Sequence, residues 1–146
     1  MIDIEALKRY SYDTIGALHE VHKELGPGLN EKIYQEGFQI ELTERNIPFE
    51  KELSFHPIYH GKAMETMYRL DFLVQKDIVV EMKTVDKLIS DHKAQLFNYM
   101  RLVNASVGIL VNFSPKFAEI ERYFFDSETN EIYGSDGYPV HKFRIQ

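Results

Sequence analysis

The sequence predicts an α/β protein in which helices flank a central mixed β-sheet, with further β-structure at the C-terminal end. Apolar residues in the first third of the chain recur at the spacing of amphipathic helices, and three strand-like runs follow. The run SVGILVNF at 106–113 has the continuous apolar character of a buried strand. The resulting order, α-α-β-β-β-α-β and then β-rich material, indicates a mixed sheet flanked by helices.

Helix ends follow from local start and stop signals. The first helix should end at the GPG segment, where Gly26 can take a left-handed conformation and Pro27 cannot continue a helix. Asn30 can cap a second helix that begins with Glu31. The predicted helices are 3–25, 31–46 and about 89–103.

The strand pattern is clear in the middle of the chain and weaker towards its end. The run at 118–125 is ambiguous between strand and helix, and turn signals at 126–130 and Gly134–Gly137 suggest a final hairpin. The predicted strands are about 49–59, 66–75, 77–84, 106–113 and 118–125.

Composition limits the kinds of site that the protein can contain. The 146 residues suit one ordinary domain, and the absence of cysteine excludes disulfides and thiolate metal ligands. A metal would have to be held by carboxylate, carbonyl, imidazole or water. This composition suits a reducing cytoplasm. The apolar runs are far shorter than the roughly 20 residues of a membrane helix, and the acidic start lacks signal-peptide character.

The net charge is negative, −6 from 17 Lys and Arg against 23 Asp and Glu. Non-specific binding to phosphates relies on clustered cations. A nucleic-acid partner would therefore have to be met through metal ions and a local basic patch, and composition alone leaves open whether there is such a partner.

The segment at 68–85, YRLDFLVQKDIVVEMKTV, predicts a strand pair with one apolar and one ionisable face. For the apolar faces of both strands to meet one core, even-numbered residues must pair with even-numbered ones, for example Phe72 opposite Val80 across a turn centred on Lys76. The apolar faces are Tyr68, Leu70, Phe72 and Val74 on the first strand, and Ile78, Val80 and Met82 on the second.

That register places Asp71 opposite Glu81, with Lys83 further along the same face and opposite Arg69. Two carboxylates directly across a strand pair repel each other, so a cation between them is the economical arrangement. Oxygen ligands with open water positions suit Mg²⁺ or Mn²⁺, and the backbone carbonyl of Met82 is a further candidate ligand. Lys83 would then hold or activate a water, or stabilise charge on a phosphate.

The third predicted helix carries polar residues along one edge. His92, Gln95 and Tyr99 fall at i, i+3 and i+7. If that edge overlooks the strand pair, Gln95 and Tyr99 are placed to contact phosphate or to position Lys83.

These strand residues resemble the signature of a known superfamily. Asp71, followed by Glu81-Met82-Lys83 on the next strand, resembles the D…(D/E)xK pattern of the PD-(D/E)xK nuclease superfamily. One departure is that Leu70 stands where the signature has proline.

Two further motifs extend the resemblance to about residues 5–125. Gln95 with Tyr99 resembles the QxxxY motif of the exonuclease-like branch, and GLNEKIY, from Gly28 to Tyr34, matches the GxxExxY motif that names a group of small bacterial proteins in the superfamily. A histidine motif typical of that branch is not evident on the early helix, where Glu31 takes its place.

The resemblance implies a restriction-endonuclease-like core within a single nuclease-like domain over 1–146, with the core at about 5–125 and a C-terminal extension at 126–146. It also implies a magnesium site formed by Asp71, Glu81 and Glu31. By the same resemblance Lys83 is the catalytic lysine, and Gln95 and Tyr99 are supporting residues.

The charged residues also have purely structural interpretations. Asp71 and Glu81 could be solvated charges on an open sheet face, salt-bridged to Arg69 and Lys83. Glu31 could be a first-turn acid favoured by the helix dipole.

The helical residues have structural interpretations as well. Tyr34 is better explained by core packing than by chemistry, Gln95 could be a surface residue, and Tyr99 could serve packing only.

The sequence gives little support for other kinds of site. The histidine pairs, His19 with His22 and His56 with His60, lack a third ligand at convincing spacing for zinc. The GPG segment lacks the lysine of a phosphate-binding loop, and no GxSxG nucleophile motif is present.

The favoured function is a metal-dependent nuclease, with DNA favoured over RNA as the substrate. The candidate phosphate contacts come from the neighbourhood of Lys83, Lys87, Lys93 and Arg101. The alternatives are a non-catalytic binding or regulatory module with the nuclease fold, and a hydrolase of a small phosphate-containing molecule. A homodimer would allow so small a domain to grip both strands of a duplex.

Overall fold

The computed structural model describes residues 2–144, which form three helices and nine strands. The helix predictions are confirmed, with every end within two residues of its expected position. Asn30 caps the second helix as predicted, because its side chain accepts a hydrogen bond from the Ile33 N–H at 3.2 Å. The helices are α1 (Ile4–Leu25), α2 (Glu31–Glu44) and α3 (Ser90–Val103).

The strand predictions are confirmed apart from the first, which divides in two. The predicted strand at 49–59 stops at Phe55, because Pro57 has no N–H to contribute to a ladder. The ambiguous run at 118–125 is a strand, and the tail forms the expected hairpin. The strands are β1 (Phe49–Phe55), β2 (Ile58–Tyr59), β3 (Lys62–Ala63), β4 (Tyr68–Val74), β5 (Ile78–Lys83), β6 (Val107–Asn112), β7 (Glu119–Asp126), β8 (Glu131–Tyr133) and β9 (Pro139–Lys142).

Seven strands form one mixed sheet in the order β1-β4-β5-β6-β7-β8-β9, and β2 pairs with β3 as a separate hairpin. Strands β5 and β6 are parallel and are joined through α3, whereas the other neighbours in the sheet are antiparallel. The predicted class, a mixed sheet flanked by helices, is therefore confirmed. Its central parallel pair brings the carboxyl ends of β5 and β6 to one edge.

Both faces of the sheet are buried at its central strands, β5 and β6. One core lies between the sheet and the helices α1 and α2, and it includes Phe72, Val80 and Met82. A second core lies between the opposite face and α3, and it includes Val79 and Leu96. Strand β5 therefore contributes alternate residues to two cores, as expected of a central strand.

The predicted register of β4 and β5 is correct, but the predicted faces are partly wrong. Phe72 pairs with Val80 as expected. Leu70, however, packs in the α3 core, whereas Phe72 and Val74 pack against α1 and α2. The change of face falls at Asp71, where the main-chain pairing of β4 with β5 ends.

The neighbouring strand β1 is irregular at the same level. Glu52 is absent from the otherwise regular pairing of β1 with β4, and its φ of 55° lies in the left-handed region. Such backbone conformations are unfavourable for a residue other than glycine and occur often at functional sites. The sheet is therefore distorted around Asp71 on both sides of β4.

No helix among residues 2–144 has the length and apolar character needed to cross a membrane.

Candidate functional site

Where the main-chain hydrogen bonds between β4 and β5 stop, the carboxylates of Asp71 and Glu81 form the hydrogen bonds between the two strands. The Asp71 N–H donates a hydrogen bond to Oε2 of Glu81 at 2.8 Å, and the Met82 N–H donates one to Oδ2 of Asp71 at 2.8 Å. Each carboxylate thus accepts a hydrogen bond from the opposite strand. The space between β4 and β5 at Asp71 and Glu81, where the main-chain hydrogen bonds are missing, is called the strand gap below. The predicted juxtaposition of the two acids is present, inside the sheet and not on an open face.

Burial makes this acid pair electrostatically unfavourable. Glu81 is only 4% exposed. This burial, together with the negative charge of Asp71, raises the pKa of Glu81 to about 8. Burial also raises the pKa of Asp71, although the Met82 N–H and the Lys83 ammonium oppose that rise. The interpretation of these acids as solvated surface charges is therefore wrong for Glu81, which is buried, and incomplete for Asp71, which is half-buried and accepts the Met82 N–H.

Arg69 does not neutralise the pair either. It lies beside Ser54 of β1 and forms an ion pair with Glu52, the two side chains lying 3.8 Å apart. The expected position of Arg69 opposite Lys83 is wrong because β4 and β5 no longer pair beyond Asp71.

Glu31 approaches the acid pair from the first turn of α2. Burial raises the pKa of Glu31, the charge of Asp71 raises it further, and the charge of Lys83 lowers it. The α2 N-terminus therefore lies within electrostatic range of the strand gap. Even so, no three acidic or histidine side chains of residues 2–144 are grouped closely enough to hold a metal ion between them.

The donor chemistry of the gap fits a cation that binds few protein ligands. Asp71 and Glu81 each use one carboxylate oxygen in the cross-strand hydrogen bonds and have a second oxygen outside them. Because the N–H of Met82 points into the gap, its carbonyl in an extended strand points to the same side. Mg²⁺ typically uses one or two carboxylates and keeps several waters, so this partial ligand set suits it.

Lys83 lies at the end of β5 and is connected to α3. Its ammonium nitrogen lies 3.3 Å from Oε1 of Gln95, and Nε2 of Gln95 donates a hydrogen bond to the Tyr99 hydroxyl at 3.3 Å. Lys83 forms no ion pair within residues 2–144. The structure thus brings together the three predicted residues, and the lysine interacts with the nearby carboxylates at longer range than a contact ion pair.

The structural interpretations of Gln95 and Tyr99 are only partly correct. Gln95 is exposed, but its side chain bridges the other two residues. Tyr99 is 7% exposed and packs against the rings of Phe55 and Tyr68, so it serves the core and the hydrogen-bond chain together. His92 is not part of this chain, since its Nδ1 accepts the Ile89 N–H at the start of α3.

Tyr34 is in the core as predicted, and it also determines the position of Glu31. Its hydroxyl donates to the Gly26 carbonyl at 2.5 Å and accepts from the Leu29 N–H at 3.2 Å. Gly28, between those two residues, has a φ of 88°. Tyr34 therefore holds the loop that leads into α2.

Two residues near the site were not anticipated from the sequence. Asn112 is fully buried, accepts the Val85 N–H at 3.0 Å and donates to the Val85 carbonyl at 2.8 Å, so it fixes the segment that follows Lys83. A polar residue at the end of the apolar run VGILVN was the available signal. Glu52, whose charge contributes to the raised pKa of Asp71, had no signal because its approach depends on the distortion of β1.

Comparison with known proteins identifies the superfamily of the chain. A family model for the PD-(D/E)XK nuclease superfamily matches residues 8–123, and the chain belongs to that superfamily. No curated protein matches. A solved structure described as "Crystal structure of SSO0001" is 32% identical with a TM-score of 0.50, over 62% of this chain and 48% of that one. The chain thus spans about half the length of that relative.

Proposed function

We propose that the protein is a metal-dependent nuclease that hydrolyses phosphodiester bonds in nucleic acid, with DNA favoured over RNA as the substrate. The observation that carries the proposal is the pair of carboxylates in a gap of the central sheet, Glu81 buried and Asp71 half-buried, with the charge of Lys83 acting on both. Like charges are costly to bury together, and a bound cation removes that cost. Membership of the nuclease superfamily supports the same function.

The proposed ligands of the cation are Asp71, Glu81 and the carbonyl of Met82, with Glu31 completing the set directly or through water. A bound Mg²⁺ or Mn²⁺ ion supplies polarisation of the phosphodiester and a water of lowered pKa. The carboxylates bind and orient that ion, and their cross-strand hydrogen bonds fix the separation of β4 and β5.

In this proposal Lys83 is the catalytic lysine. Its ammonium, held by Gln95 and free of ion pairs within residues 2–144, stabilises the negative charge that develops on the phosphate. Tyr99 is a positioning residue, because it acts on the lysine only through Gln95.

We also place the chain among the proteins named after the GxxExxY motif. The motif has a physical role here, since Tyr34 and Gly28 shape the loop that presents Glu31 to the strand gap. The glycine allows the positive φ, the tyrosine fixes the loop, and the glutamate is the residue that they position.

The candidate phosphate contacts differ in their support. Lys87 is exposed close to the carboxyl end of β5. Lys93 lies 3.8 Å from the carboxylate of Glu121, and Arg101 lies over the Phe143 ring at 4.9 Å, so both already have a partner within the protein. Lys83 and Lys87 are therefore the stronger candidates of the four.

A homodimer in a reducing cytoplasm is part of the proposal. A single domain has one acid pair, and cleavage of both strands of a duplex by one assembly requires two. The absence of cysteine suits a reducing compartment. Light scattering of the purified protein with and without duplex DNA tests the dimer.

A cleavage assay tests the function directly. Native protein, Lys83→Ala and Lys142→Ala would be compared on single-stranded DNA, double-stranded DNA and RNA, each with Mg²⁺, Mn²⁺ or EDTA. Lys142 is an exposed lysine on β9, four strands along the sheet from β5, and so is a matched control. We expect metal-dependent cleavage that is lost in Lys83→Ala and retained in Lys142→Ala.

Two results would contradict the proposal. Cleavage that survives in Lys83→Ala would remove the lysine from the mechanism. Failure to cleave any polymer, with the protein folded and metal bound, would favour either a hydrolase of small phosphate-containing molecules, assayed with nucleotides, or a non-catalytic binding module.

A further inference from the structure

A cavity of about 580 Å³ lies on the α1 side of the sheet, at the turn that follows the carboxyl end of β6. Its walls are the second half of α1, the loop at 26–28 and the turn between β6 and β7. The side chains that give it chemical character are His19, Glu20, His22, Lys23, Lys116 and Phe117.

The charge of this cavity is opposite to that of the whole protein. Lys23 and Lys116 line it together with two histidines, and Glu20 is the acid among the lining residues. Neither lysine forms an ion pair within residues 2–144. In a chain of net charge −6, two unpaired ammonium groups facing one cavity form a local site for anions.

Phe117 is an aromatic side chain that the protein itself does not cover. It is 77% exposed in the turn between β6 and β7, and the Lys116 ammonium lies 5.7 Å from the centre of its ring. An exposed ring next to an ammonium group is the combination with which proteins hold single-stranded nucleic acid, because the ring stacks on a base and the cation pairs with the backbone.

Hydrogen bonds and ring stacking connect the cavity wall to β5, the strand that carries Glu81 and Lys83. Nε2 of His22 lies 2.9 Å from the Pro115 carbonyl, which ties α1 to the turn that carries Lys116 and Phe117. Phe113, just before that turn, stacks on Tyr34 with the ring centres 4.4 Å apart. The Phe113 N–H donates a hydrogen bond to the Lys83 carbonyl at 3.0 Å. A ligand in the cavity therefore has a fixed position relative to the proposed site.

The separation of the two sites suits one strand of nucleic acid. Pro27 lines the cavity and precedes Glu31 by four residues, so the chain between them spans at most about 14 Å. Along a nucleic-acid strand phosphates recur about every 3.4 Å of helix axis. A few nucleotides therefore span the distance between Glu31 and the Pro27 wall of the cavity.

We infer that this cavity binds a single-stranded stretch of the nucleic acid that the neighbouring site cleaves. Lys23 and Lys116 contact its phosphates, and Phe117 stacks on an unpaired base. The inference deepens the proposed nuclease function and rests on it for the identity of the ligand. It defines the substrate as nucleic acid that is unpaired on the α1 side of the cleavage point.

Binding to Phe117 can be measured without cleavage. Full-length protein carrying Lys83→Ala would be titrated with Mg²⁺ present against a fluorescein-labelled oligothymidylate and a duplex of equal length, with fluorescence anisotropy as the readout. Adding Phe117→Ala should weaken single-strand binding about fivefold or more and leave duplex binding almost unchanged. Adding Tyr138→Ala instead is the matched control, because Tyr138 is 71% exposed in the turn before β9.

The lysines are tested by the salt dependence of the same titration. Replacing Lys23 and Lys116 together with glutamine should lower the slope of log affinity against log salt by about 1.4, two contacts at about 0.7 each. Lys142→Gln should leave the slope unchanged, since Lys142 lies on the distant edge strand β9.

The outcomes separate this inference from the nuclease function. The inference would be overturned if Phe117→Ala left the affinity for the single strand unchanged. It would also be overturned if Tyr138→Ala weakened single-strand binding equally, or if Phe117→Ala weakened only duplex binding. If native protein cleaves but Phe117→Ala binds and cleaves like native, the nuclease stands and the cavity is not its subsite. If single-strand binding depends on Phe117 but nothing is cleaved, the cavity assignment stands and the proposed catalysis fails.

Discussion

The ammonium nitrogen of Lys83 lies 3.3 Å from the amide oxygen of Gln95, although the two residues belong to a strand and a helix that are separated by a loop. This contact restricts the lysine to one side of the strand gap. It is a hydrogen bond from a charged donor, the kind whose loss typically costs about 1.5–3 kcal/mol.

Gln95→Ala should therefore lower kcat about tenfold to a hundredfold and leave KM nearly unchanged, because the lysine remains present but is no longer held in place. Steady-state cleavage of a labelled oligonucleotide measures both constants. Gln39→Ala is the control, because Gln39 is an exposed amide on α2 that likewise accepts a hydrogen bond from a lysine, Lys51 at 3.1 Å. Equal kcat values for the two variants would show that Gln95 does not position the lysine.

Tyr99→Phe should lower kcat only about fivefold, since it removes one neutral hydrogen bond to Gln95. The melting temperature should change little because the ring still packs against Phe55 and Tyr68. Combined with Gln95→Ala, the change should have no further effect on kcat, as expected of two residues that act in series. Additive losses in the double variant would assign Tyr99 a separate role.

Without metal, the protein should become less stable as the pH rises from about 4.5 to about 8, the interval between the ordinary and the raised pKa of Glu81. In that interval the folded state binds more protons at Glu81 than the unfolded state does, so the free energy of unfolding decreases with pH by at most about 1.4 kcal/mol per pH unit. Urea midpoints in EDTA between pH 5 and pH 8 measure the trend. Glu81→Gln should flatten it, and a native profile that rises with pH would contradict the raised pKa.

Manganese should raise the melting temperature of the native protein, since a ligand that binds only the folded state stabilises it. Asp71→Asn should abolish the increase while preserving the hydrogen bond from the Met82 N–H, because an amide oxygen can replace the carboxylate oxygen there. Asp13→Asn, at an exposed position on α1, is the control. An undiminished increase in Asp71→Asn would place metal binding elsewhere in the molecule.

Tyr34→Phe should reduce the free energy of unfolding by about 1–2 kcal/mol, because the Gly26 carbonyl and the Leu29 N–H lose their shared partner. The manganese-induced increase in melting temperature should shrink as well, since the loop that presents Glu31 is loosened. Tyr12→Phe, with its side chain largely exposed, should change neither quantity. A destabilised variant with an undiminished manganese response would remove Glu31 from the metal site.

Much of the site could be predicted because it depends on local chain properties. Strand alternation and the requirement to bury Phe72 and Val80 together were enough to place Asp71 near Glu81. Helical periodicity was enough to place Gln95 and Tyr99 on one edge of α3. These inferences needed only neighbours in sequence and one hairpin.

The incorrect predictions depend on contacts between distant segments. Regular alternation placed Leu70 on the wrong face, because it does not anticipate the break at Asp71 where carboxylates replace main-chain partners. The same alternation suggested an open polar face, since nothing local to β5 shows that α3 covers it. Asn112 and Glu52 were missed for the related reason that their roles depend on segments 27 and 19 residues away in the chain, at Val85 and Asp71.

The hydrogen bonds in the strand gap make two amide protons into natural probes of the site. The amides of Asp71 and Met82 donate to carboxylates and not to carbonyls of a regular sheet, so their environment changes whenever those carboxylates change charge or ligand. In an NMR spectrum their resonances should report protonation and cation binding at the site without any label or substrate. The distortion that interrupts the sheet thus makes the chemistry of the site observable from its own backbone.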